Sequence, residues 1–514
     1  MATQESTPQV VSSADPDKID GALVRLALVL LAGVVVVQLD ATIVSVALDR
    51  LGRAFDVDIP TVQWVTTAYL LALAMVIPVS GWAVSRFGGR RMWLLALALF
   101  LVGSALCGVA WSVDSLIAFR VVQGLGGGLL LPVMQTILAQ AAGPRRLGRL
   151  MAVVSVPALL TPVLGPVLGG LIIGSLNWRW IFLINVPVCV VAFVLAWCTM
   201  PEAATTTRQR FDSVGFALLS PGLAAVVYGF AEAGRHGGFS SVTVIVPLII
   251  GVALLLAFGG YALRTRIVPL IDLRMFRSAS FSGSAGLMFL FGISLFGGLF
   301  LLPLYEQQAR GRSPIEAGLL LAPQGLGMMI GMITLGRIVD RTGPRRIVLI
   351  GVALSVLGSV AYTQVTPHTS EILLGASLVV RGLGLAAAMV PVMSTAYVGL
   401  STAEIPRATS AVRIFQQVGA SLGTAMLSVV LATVLRNAAH GGHPVDAAAT
   451  AHAYAVSFWW TLGFSIVAVP LAFLLPRDSA AAQLSAEPAE PVRSDAPVAP
   501  AVAVPAELAG ETDG

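Results

Sequence analysis

Two residues of opposite charge interrupt long apolar stretches of the sequence. Asp40 is the only acid between Gly21 and Leu48, and Arg120 lies with Gln123 in the apolar stretch 115–137. An ionisable side chain in such surroundings is costly and usually faces a cavity or a partner. A carboxyl group there can gain and lose a proton, so Asp40 is a candidate proton or cation site with Arg120 as the matching positive charge. The alternative is a fixed structural contact between neighbouring helices.

Other polar and aromatic side chains in or near apolar stretches are candidates for contact with a bound molecule. They are Trp64, Tyr69, Glu306, Arg381, Arg413 and Gln416. For Arg381 and Arg413 the sequence leaves two roles equally open, contact with a cavity or structural pairing. Glu232 lies near the end of an apolar stretch, where we expect a solvated carboxylate.

The composition defines the surroundings of these residues. Of the 514 residues, 57% are hydrophobic and 11% are charged, whereas a soluble protein carries about 25% charged residues. A helix of about 20 apolar residues crosses a hydrocarbon core of about 30 Å, and the uncharged stretch 242–263 meets that length. The sequence therefore predicts an all-α membrane protein. The net charge of +5 comes from short clusters between apolar stretches, so no binding to nucleic acid is expected.

Fourteen apolar segments are long enough to cross a bilayer. Their approximate cores are 21–48, 62–84, 92–111, 115–137, 150–173, 180–200, 214–232, 242–263, 282–304, 316–336, 346–365, 371–397, 410–434 and 454–476. Alternate loops hold sixteen arginines on one side and seven on the other. Because cytoplasmic loops carry the positive excess, both termini are predicted to be cytoplasmic in a multi-pass plasma-membrane protein.

A repeated motif indicates two related bundles. Residues 81–91 (GWAVSRFGGRR) match residues 336–346 (GRIVDRTGPRR) at an offset of 255, and the Gly-Leu-Gly of 124–126 recurs at 382–384. Parallel repeats mark a transporter architecture with the substrate site between the halves. The predicted regions are a cytoplasmic tail (1–20), a six-helix bundle (21–200), a linker with two extra transmembrane helices (201–281), a second six-helix bundle (282–476) and a disordered cytoplasmic tail (477–514).

These motifs resemble a known family. The repeated loop motif is similar to the signature of the major facilitator superfamily. Four further segments resemble its 14-helix drug:proton antiporter branch, the EmrB/QacA type. They are LDATIVSVAL (39–48), RVVQGLG (120–126), TPVLGPVLGG (161–170) and NWRWIFLINVP (177–187). The resemblance covers about residues 21–476.

The resemblance implies roles for particular residues. Asp40, Arg120 and Gln123 would take part in proton coupling. A proline–glycine run associated with exporters would be formed by Pro162, Gly165, Pro166, Gly169 and Gly170. A cytoplasmic gate would be formed by Gly81, Arg86, Gly88, Arg90, Asp340, Arg341 and Gly343. Ser85 stands where the family usually has an aspartate, whereas Asp340 keeps the acid in the second copy.

The expected function is a proton-coupled antiporter that exports lipophilic or amphipathic drugs, antibiotics or related small molecules by alternating access. The proton gradient would supply the energy with no cofactor and no metal. The partners would be protons, a small-molecule substrate and the lipid bilayer, and the protein would act as a monomer. An ATP-driven pump is excluded because the only lysine, Lys18, lies outside any phosphate-binding loop. An uptake symporter on the same fold and an intramembrane enzyme are the alternatives.

Overall fold

The computed structural model describes residues 21–57, 59–201, 210–401, 403–440 and 446–477. The predicted N-terminal tail, residues 202–209 of the linker and the tail beyond residue 477 lie outside these ranges. Regular structure within them is entirely helical, as the composition predicts. The α-helices are α1 (Gly21–Phe55), α2 (Ile59–Phe87), α3 (Gly89–Gly108), α4 (Val113–Ser175), α5 (Trp180–Leu183), α6 (Asn185–Thr199), α7 (Ser213–His236), α8 (Val242–Arg264), α9 (Ala279–Gln308), α10 (Pro314–Leu319), α11 (Ala322–Thr342), α12 (Pro344–Val360), α13 (Glu371–Thr395), α14 (Ile405–His440) and α15 (Ala447–Ala472).

Twelve helical stretches of the described residues are long and apolar enough to cross a membrane. They coincide with twelve of the fourteen predicted segments. The other two, 150–173 and 316–336, fall in α4 and in α10–α11, where the side chains of residues 143–149, 151–164 and 335–342 lie outside the described part. The count of fourteen crossings therefore stays a prediction.

Helix α4 departs most from the predicted boundaries. A loop was expected between segments 115–137 and 150–173, but the backbone is helical from Val113 to Ser175. Arg120 and Gly165 nevertheless contact one stretch of α1, because Arg120 pairs with Asp40 and a Cβ on Gly165 would meet Thr42. A straight helix would hold residues 120 and 165 about 68 Å apart, at about 1.5 Å per residue. The chain therefore reverses direction within α4.

The predicted repeat is visible in two equivalent corners. Helix α2 ends one residue before Gly88 and α11 ends one residue before Gly343. Gly88 has φ 85° and ψ 153°, and Gly343 has φ 81° and ψ 148°. Only glycine adopts this conformation readily. We call the end of the protein that carries these two glycines the corner end.

Helix packing repeats as well. A Cβ on Gly126 of α4 would clash with the backbone of Phe100 in α3, and one on Gly384 of α13 would clash with the backbone of Ser355 in α12. Phe100 and Ser355 are themselves 255 positions apart. Small residues let membrane helices approach closely, and here they create the same helix pair in each bundle.

The linker helices lie beside the junction of the bundles. Helix α2 of the first bundle packs against α14 of the second, and α7 packs against both. Helix α8 mainly contacts α7 and exposes apolar side chains such as Val242, Ile249 and Leu256. An exposed apolar face of this kind suits contact with lipid.

Candidate functional site

Asp40 and Arg120 form an ion pair inside the first bundle. Nη1 of Arg120 lies 2.6 Å from Oδ2 of Asp40, and both side chains are fully buried. Asp40 stands about 28 Å along α1 from Gly21, at about 1.5 Å per residue. The attraction between two buried charges offsets the cost of their desolvation only when the geometry is good and additional hydrogen bonds are present. The stability of this pair therefore depends on the surrounding hydrogen-bond donors.

Two amides complete the hydrogen bonding of Asp40. Nε2 of Gln123 and Nδ2 of Asn185 donate to Oδ1 of Asp40 over 2.9 Å and 2.8 Å. Gln123 Nε2 also donates to Oγ of Ser104 over 2.6 Å, and Nη1 of Arg120 donates to Oε1 of Gln123 over 2.6 Å. Helices α1, α3, α4 and α6 therefore converge on one carboxylate. Hydrogen bonds from charged or polar N–H groups to a carboxylate are among the stronger ones in proteins.

Aromatic rings enclose the guanidinium of Arg120. Its Cζ lies 4.1 Å from the ring centroid of Tyr69 and 5.6 Å from that of Phe182, both within the range of a cation–π interaction. Nε of Arg120 donates to the carbonyl oxygen of Val65 over 3.1 Å. Within the described part of the chain, Nη2 of Arg120 and the hydroxyl of Tyr69 have no hydrogen-bond partner. Tyr69, predicted to line a substrate cavity, thus packs on the ion pair.

Two glycines permit this convergence. A Cβ on Gly103 of α3 would lie 2.6 Å from the backbone nitrogen of Gln123, and one on Gly124 of α4 would lie 2.6 Å from the carbonyl oxygen of Tyr69. Both distances are far below van der Waals contact. The Gly-Leu-Gly motif therefore brings α4 against α2 and α3, and Arg120 and Gln123 can reach Asp40.

The predicted proline–glycine run lies against the same turn of α1. A Cβ on Gly165 would clash with Thr42, and one on Gly169 would lie 3.4 Å from the carbonyl oxygen of Ile43. The side chains of Pro162 and Pro166, and Gly170 with them, lie outside the described part. The glycines thus hold the returning part of α4 within two or three residues of Asp40.

The predicted gate residue Gly81 stands where the two bundles meet at the corner end. A Cβ on Gly81 would lie 2.8 Å from the carbonyl oxygen of Pro406, at the start of α14. One residue earlier, Oγ of Ser80 lies 2.8 Å from Oγ of Ser410. This end of the protein is therefore closed between α2 and α14.

The gate arginines have different surroundings. Nη2 of Arg90 donates to the carbonyl oxygen of Trp197 over 2.7 Å, which fastens the start of α3 to the end of α6. Arg86 lies half-buried in the last turn of α2. Asp340 and Arg341 belong to α11, but their side chains lie outside the described part. Their role in the cytoplasmic gate stays a prediction.

Arg381 and Arg413 lie in the second bundle with amide rather than carboxylate partners. Nη1 of Arg381 donates to Oε1 of Gln324 over 3.0 Å, and its Nη2 donates to the carbonyl oxygen of Ser294 over 2.8 Å. Arg413 donates to Oε1 of Gln416, one turn further along α14. The sequence left cavity contact and structural pairing equally open, and no ion pair to either arginine forms within the described residues.

The remaining candidates lie away from this pair. Glu306 is buried and pairs with Arg310 over 3.2 Å at the end of α9. Trp64 is 39% exposed and stacks on Tyr228 of α7 at a centroid distance of 5.7 Å. The expectation of a solvated Glu232 is wrong, because Glu232 is 4% exposed and its carboxylate pairs with Arg235 over 2.6 Å.

Sequence reasoning missed Asn185 and Ser104. Asn185 belongs to segment 177–187, and a lone amide in an apolar run was the available signal.

Residues 419–423 (GASLG) have the Gly-x-Ser-x-Gly spacing of hydrolases. That motif needs a strand-to-helix turn, whereas Ser421 lies within α14 and donates to the carbonyl oxygen of Gln417. It is therefore a helix-packing segment.

The protein consists of two similar helical bundles, with a buried ion pair in one of them and a closed contact between them. These features define a membrane transporter built from two bundles. Sequence comparison assigns it more narrowly: residues 30–424 match the Major Facilitator Superfamily. The chain belongs to that superfamily, whose members are transporters.

Two bacterial relatives match most of the chain. It is 41% identical over 431 residues to a multidrug resistance protein B homolog of Mycobacterium tuberculosis, covering 84% of this chain and 80% of the relative. It is 34% identical over 407 residues to the tetracenomycin C resistance and export protein of Streptomyces glaucescens, covering 78% and 74%. Among solved structures, the proton:xylose symporter XylE superposes with a TM-score of 0.57 at 14% identity, covering 90% of this chain and 98% of that one. That likeness concerns the fold alone.

Proposed function

We propose that the protein is a proton-coupled antiporter that exports lipophilic or amphipathic small molecules, including drugs and antibiotics, across the plasma membrane. The observation that carries the proposal is the buried carboxylate of Asp40, which three N–H donors from Arg120, Gln123 and Asn185 surround. An intramembrane acid is costly and is functional by default. The names of the two bacterial relatives, a multidrug resistance homolog and an antibiotic export protein, support export as the direction.

Protonation of Asp40 would change the packing of the first bundle. A neutral carboxyl no longer balances Arg120, and its OH must find an acceptor where three donors now point. At least one donor has to move, and these donors lie on α4 and α6. Since Gly165 and Gly169 pack the returning part of α4 on the same turn of α1, a local rearrangement at Asp40 would be transmitted to the helix that carries the exporter-type motif.

The proposed orientation places the corner end in the cytoplasm, with both termini there and fourteen crossings. The arginine distribution supports it, and the reversal within α4 is consistent with two crossings in that helix. Opening would separate Gly81 from Pro406 and Ser80 from Ser410. A monomer is sufficient, because one chain supplies both bundles.

The test uses purified protein in liposomes with an imposed pH gradient. A lipophilic dye is added, and dye movement and proton movement are recorded together. An antiporter moves dye outward only while protons move inward, so a gradient of the opposite sign reverses the dye flux. Movement of dye and protons in the same direction would instead identify the alternative, an uptake symporter.

A further inference from the structure

The second bundle contains a buried arginine that pairs with no carboxylate among the residues that the structure describes. Arg381 is 3% exposed, and its guanidinium donates to two neutral oxygens, those of Gln324 and Ser294. Its guanidinium lies against Gly298, where any Cβ would clash with it. Within the described part of the chain Nε of Arg381 has no hydrogen-bond partner. One donor and a full positive charge are therefore unsatisfied.

Arg413 repeats this pattern nearer the corner end. It donates to Gln416, and its Nε is likewise without a hydrogen-bond partner among the described residues. Arg413 lies about 12 Å along α14 from Ile405, whereas Arg381 lies about 21 Å along α13 from Thr395, at about 1.5 Å per residue. Since both helix ends belong to the corner end, the two arginines lie at different depths.

The acids of the second bundle whose side chains the structure describes are engaged elsewhere. Glu306 pairs with Arg310. It lies about 12 Å along α9 from Gly298, the residue that the guanidinium of Arg381 contacts. Glu371 is half exposed at the start of α13 and pairs with Arg312. Glu404 accepts hydrogen bonds from Ser401 at the corner end. Glu316 and Asp446 accept hydrogen bonds at the starts of their own helices. Among the described residues, Arg381 and Arg413 therefore have amide and carbonyl partners alone.

The first bundle shows what is missing. Gln123 precedes its Gly-Leu-Gly motif and binds Asp40, whereas Arg381 precedes the second Gly-Leu-Gly motif. The two Gly-Leu-Gly motifs are 258 positions apart, and at that offset the position of Asp40 corresponds to Gly298 of α9, which lies against the guanidinium of Arg381. The second bundle therefore has a positive charge where the first has an amide, and a glycine where the first has the acid. A buried charge of this kind calls for a partner.

We propose that the transported molecule supplies that partner: it is an amphipathic organic anion whose carboxylate, or a comparable acidic group, binds Arg413 near the corner end and then Arg381 deeper in the bundle. The inference rests on the proposed export function and names its substrate class. Arginine suits the role because its planar guanidinium binds carboxylates through two parallel hydrogen bonds. A membrane potential that is negative inside drives protons inward and anions outward, so both fluxes of such an antiporter run in the favoured direction.

The test compares dansylglycine with dansylglycinamide, two probes that share a fluorophore and differ in the negative charge. Both are offered to full-length protein in liposomes with an imposed pH gradient, and protein-free liposomes correct for leakage. Dansylcadaverine, a cation with the same fluorophore, is the third probe. We expect the wild type to move the acid about tenfold faster than the amide, which corresponds to one charge-assisted contact, and an inside-negative potential to increase that ratio.

Variants then assign the selectivity to the arginines. Arg381→Gln and Arg413→Gln should each bring the acid-to-amide ratio close to one, while Arg381→Lys should keep most of it because the charge remains. Arg274→Gln changes an exposed arginine outside the bundles and should leave the ratio as in the wild type. The ratio is read within each variant, so a lower yield of folded protein does not affect it.

Three outcomes would overturn the inference. If the wild type moves the amide or the cation as fast as the acid, the site does not select anions and the export function stands. If both glutamine variants keep the wild-type ratio, selectivity lies elsewhere. If a pH gradient drives none of the three probes, the proposed export function fails together with the inference.

Discussion

Nδ2 of Asn185 lies 2.8 Å from Oδ1 of Asp40, although 145 positions separate the two residues along the chain. Asn185 is the first residue of α6, and one residue separates it from the short helix α5. It is buried, and its amide also lies 3.4 Å from Oγ of Ser104. The carboxylate is thus linked to three other helices, so a change in its charge is felt by α3, α4 and α6.

Replacing Asn185 with alanine should weaken proton coupling. A hydrogen bond to a charged group contributes about 1.5–3 kcal/mol, so we expect proton-driven dye export to fall about tenfold. The measurement is the initial rate of dye movement in liposomes under a fixed pH gradient. Asn177→Ala alters an exposed asparagine of the same sequence segment and serves as the matched control. Equal rates for the two variants would mean that Asn185 is not part of the coupling site.

Gly165 should tolerate no larger residue. A Cβ there would clash with Thr42, so Gly165→Val should push α4 away from α1 and reduce export at least tenfold. The variant should still insert into the membrane, because valine is an apolar residue and does not lower the hydrophobicity of the transmembrane segment. Gly463→Val is the control, since nothing lies within 4 Å of a Cβ at Gly463. Export at the control rate by Gly165→Val would remove the helix contact from the mechanism.

A cross-link between Ser80 and Ser410 should lock the corner end. Their Oγ atoms lie 2.8 Å apart, so the cysteine pair Ser80→Cys/Ser410→Cys should form a disulfide under mild oxidation. The exposed Cys198 is first replaced by serine, whereas Cys107 and Cys189 are buried. Transport should stop on oxidation and return on reduction. Unchanged transport by the fully oxidised protein would show that α2 and α14 do not need to separate.

Much of this architecture could be predicted from local sequence signals. Asp40 and Arg120 are charges in apolar runs, and such charges need partners, so their pairing followed from energetics alone. Gly88 and Gly343 marked equivalent corners because a repeat preserves residues with special backbone conformations. Signals of this kind can be read from a sequence, because they depend on neighbouring residues or recur at a fixed offset.

Other features depend on the tertiary packing. From the sequence alone, Asn185 cannot be distinguished from an asparagine that merely begins a helix. Its approach to Asp40 depends on how α6 packs along α3. The burial of Glu232 depends on Arg235, one turn later on α7. The contact between Ser80 and Ser410 joins residues 330 positions apart, and small hydroxyl residues carry no pairing signal in a sequence.

Topology can be tested independently of transport. Reporter fusions after Met200 and after Arg274 should both report the cytoplasm, because α7 and α8 form a pair that leaves and returns to the same side. A fusion after Gly237, at the turn between them, should report the outside. An external signal at Met200 or Arg274 would mean that the number of crossings before that point is odd, and the proposed orientation would be wrong.

Asp40→Asn should abolish coupling between protons and substrate. The variant keeps the shape of the side chain but removes the group that titrates, so a pH gradient should no longer drive export, while dye that is bound to purified protein should still be detected. The measurement is proton movement on addition of substrate to liposomes. If Asp40→Asn still couples the two fluxes at the wild-type rate, the ion pair is structural and Glu306 is the next residue to test.

The contribution of the Asp40–Arg120 pair to protein stability can be measured separately from its role in proton coupling. Asp40→Asn leaves Arg120 buried without its partner, and breaking a buried ion pair from one side costs about 3–5 kcal/mol. Asp40→Asn combined with Arg120→Gln removes both charges and should recover most of the lost thermal stability, because neither side chain is then a buried ion. Coupling should stay absent in the double variant, since the site then contains no carboxylate. Recovery of proton-driven export together with stability would show that the single variant fails through misfolding, and that protons are carried elsewhere in the protein.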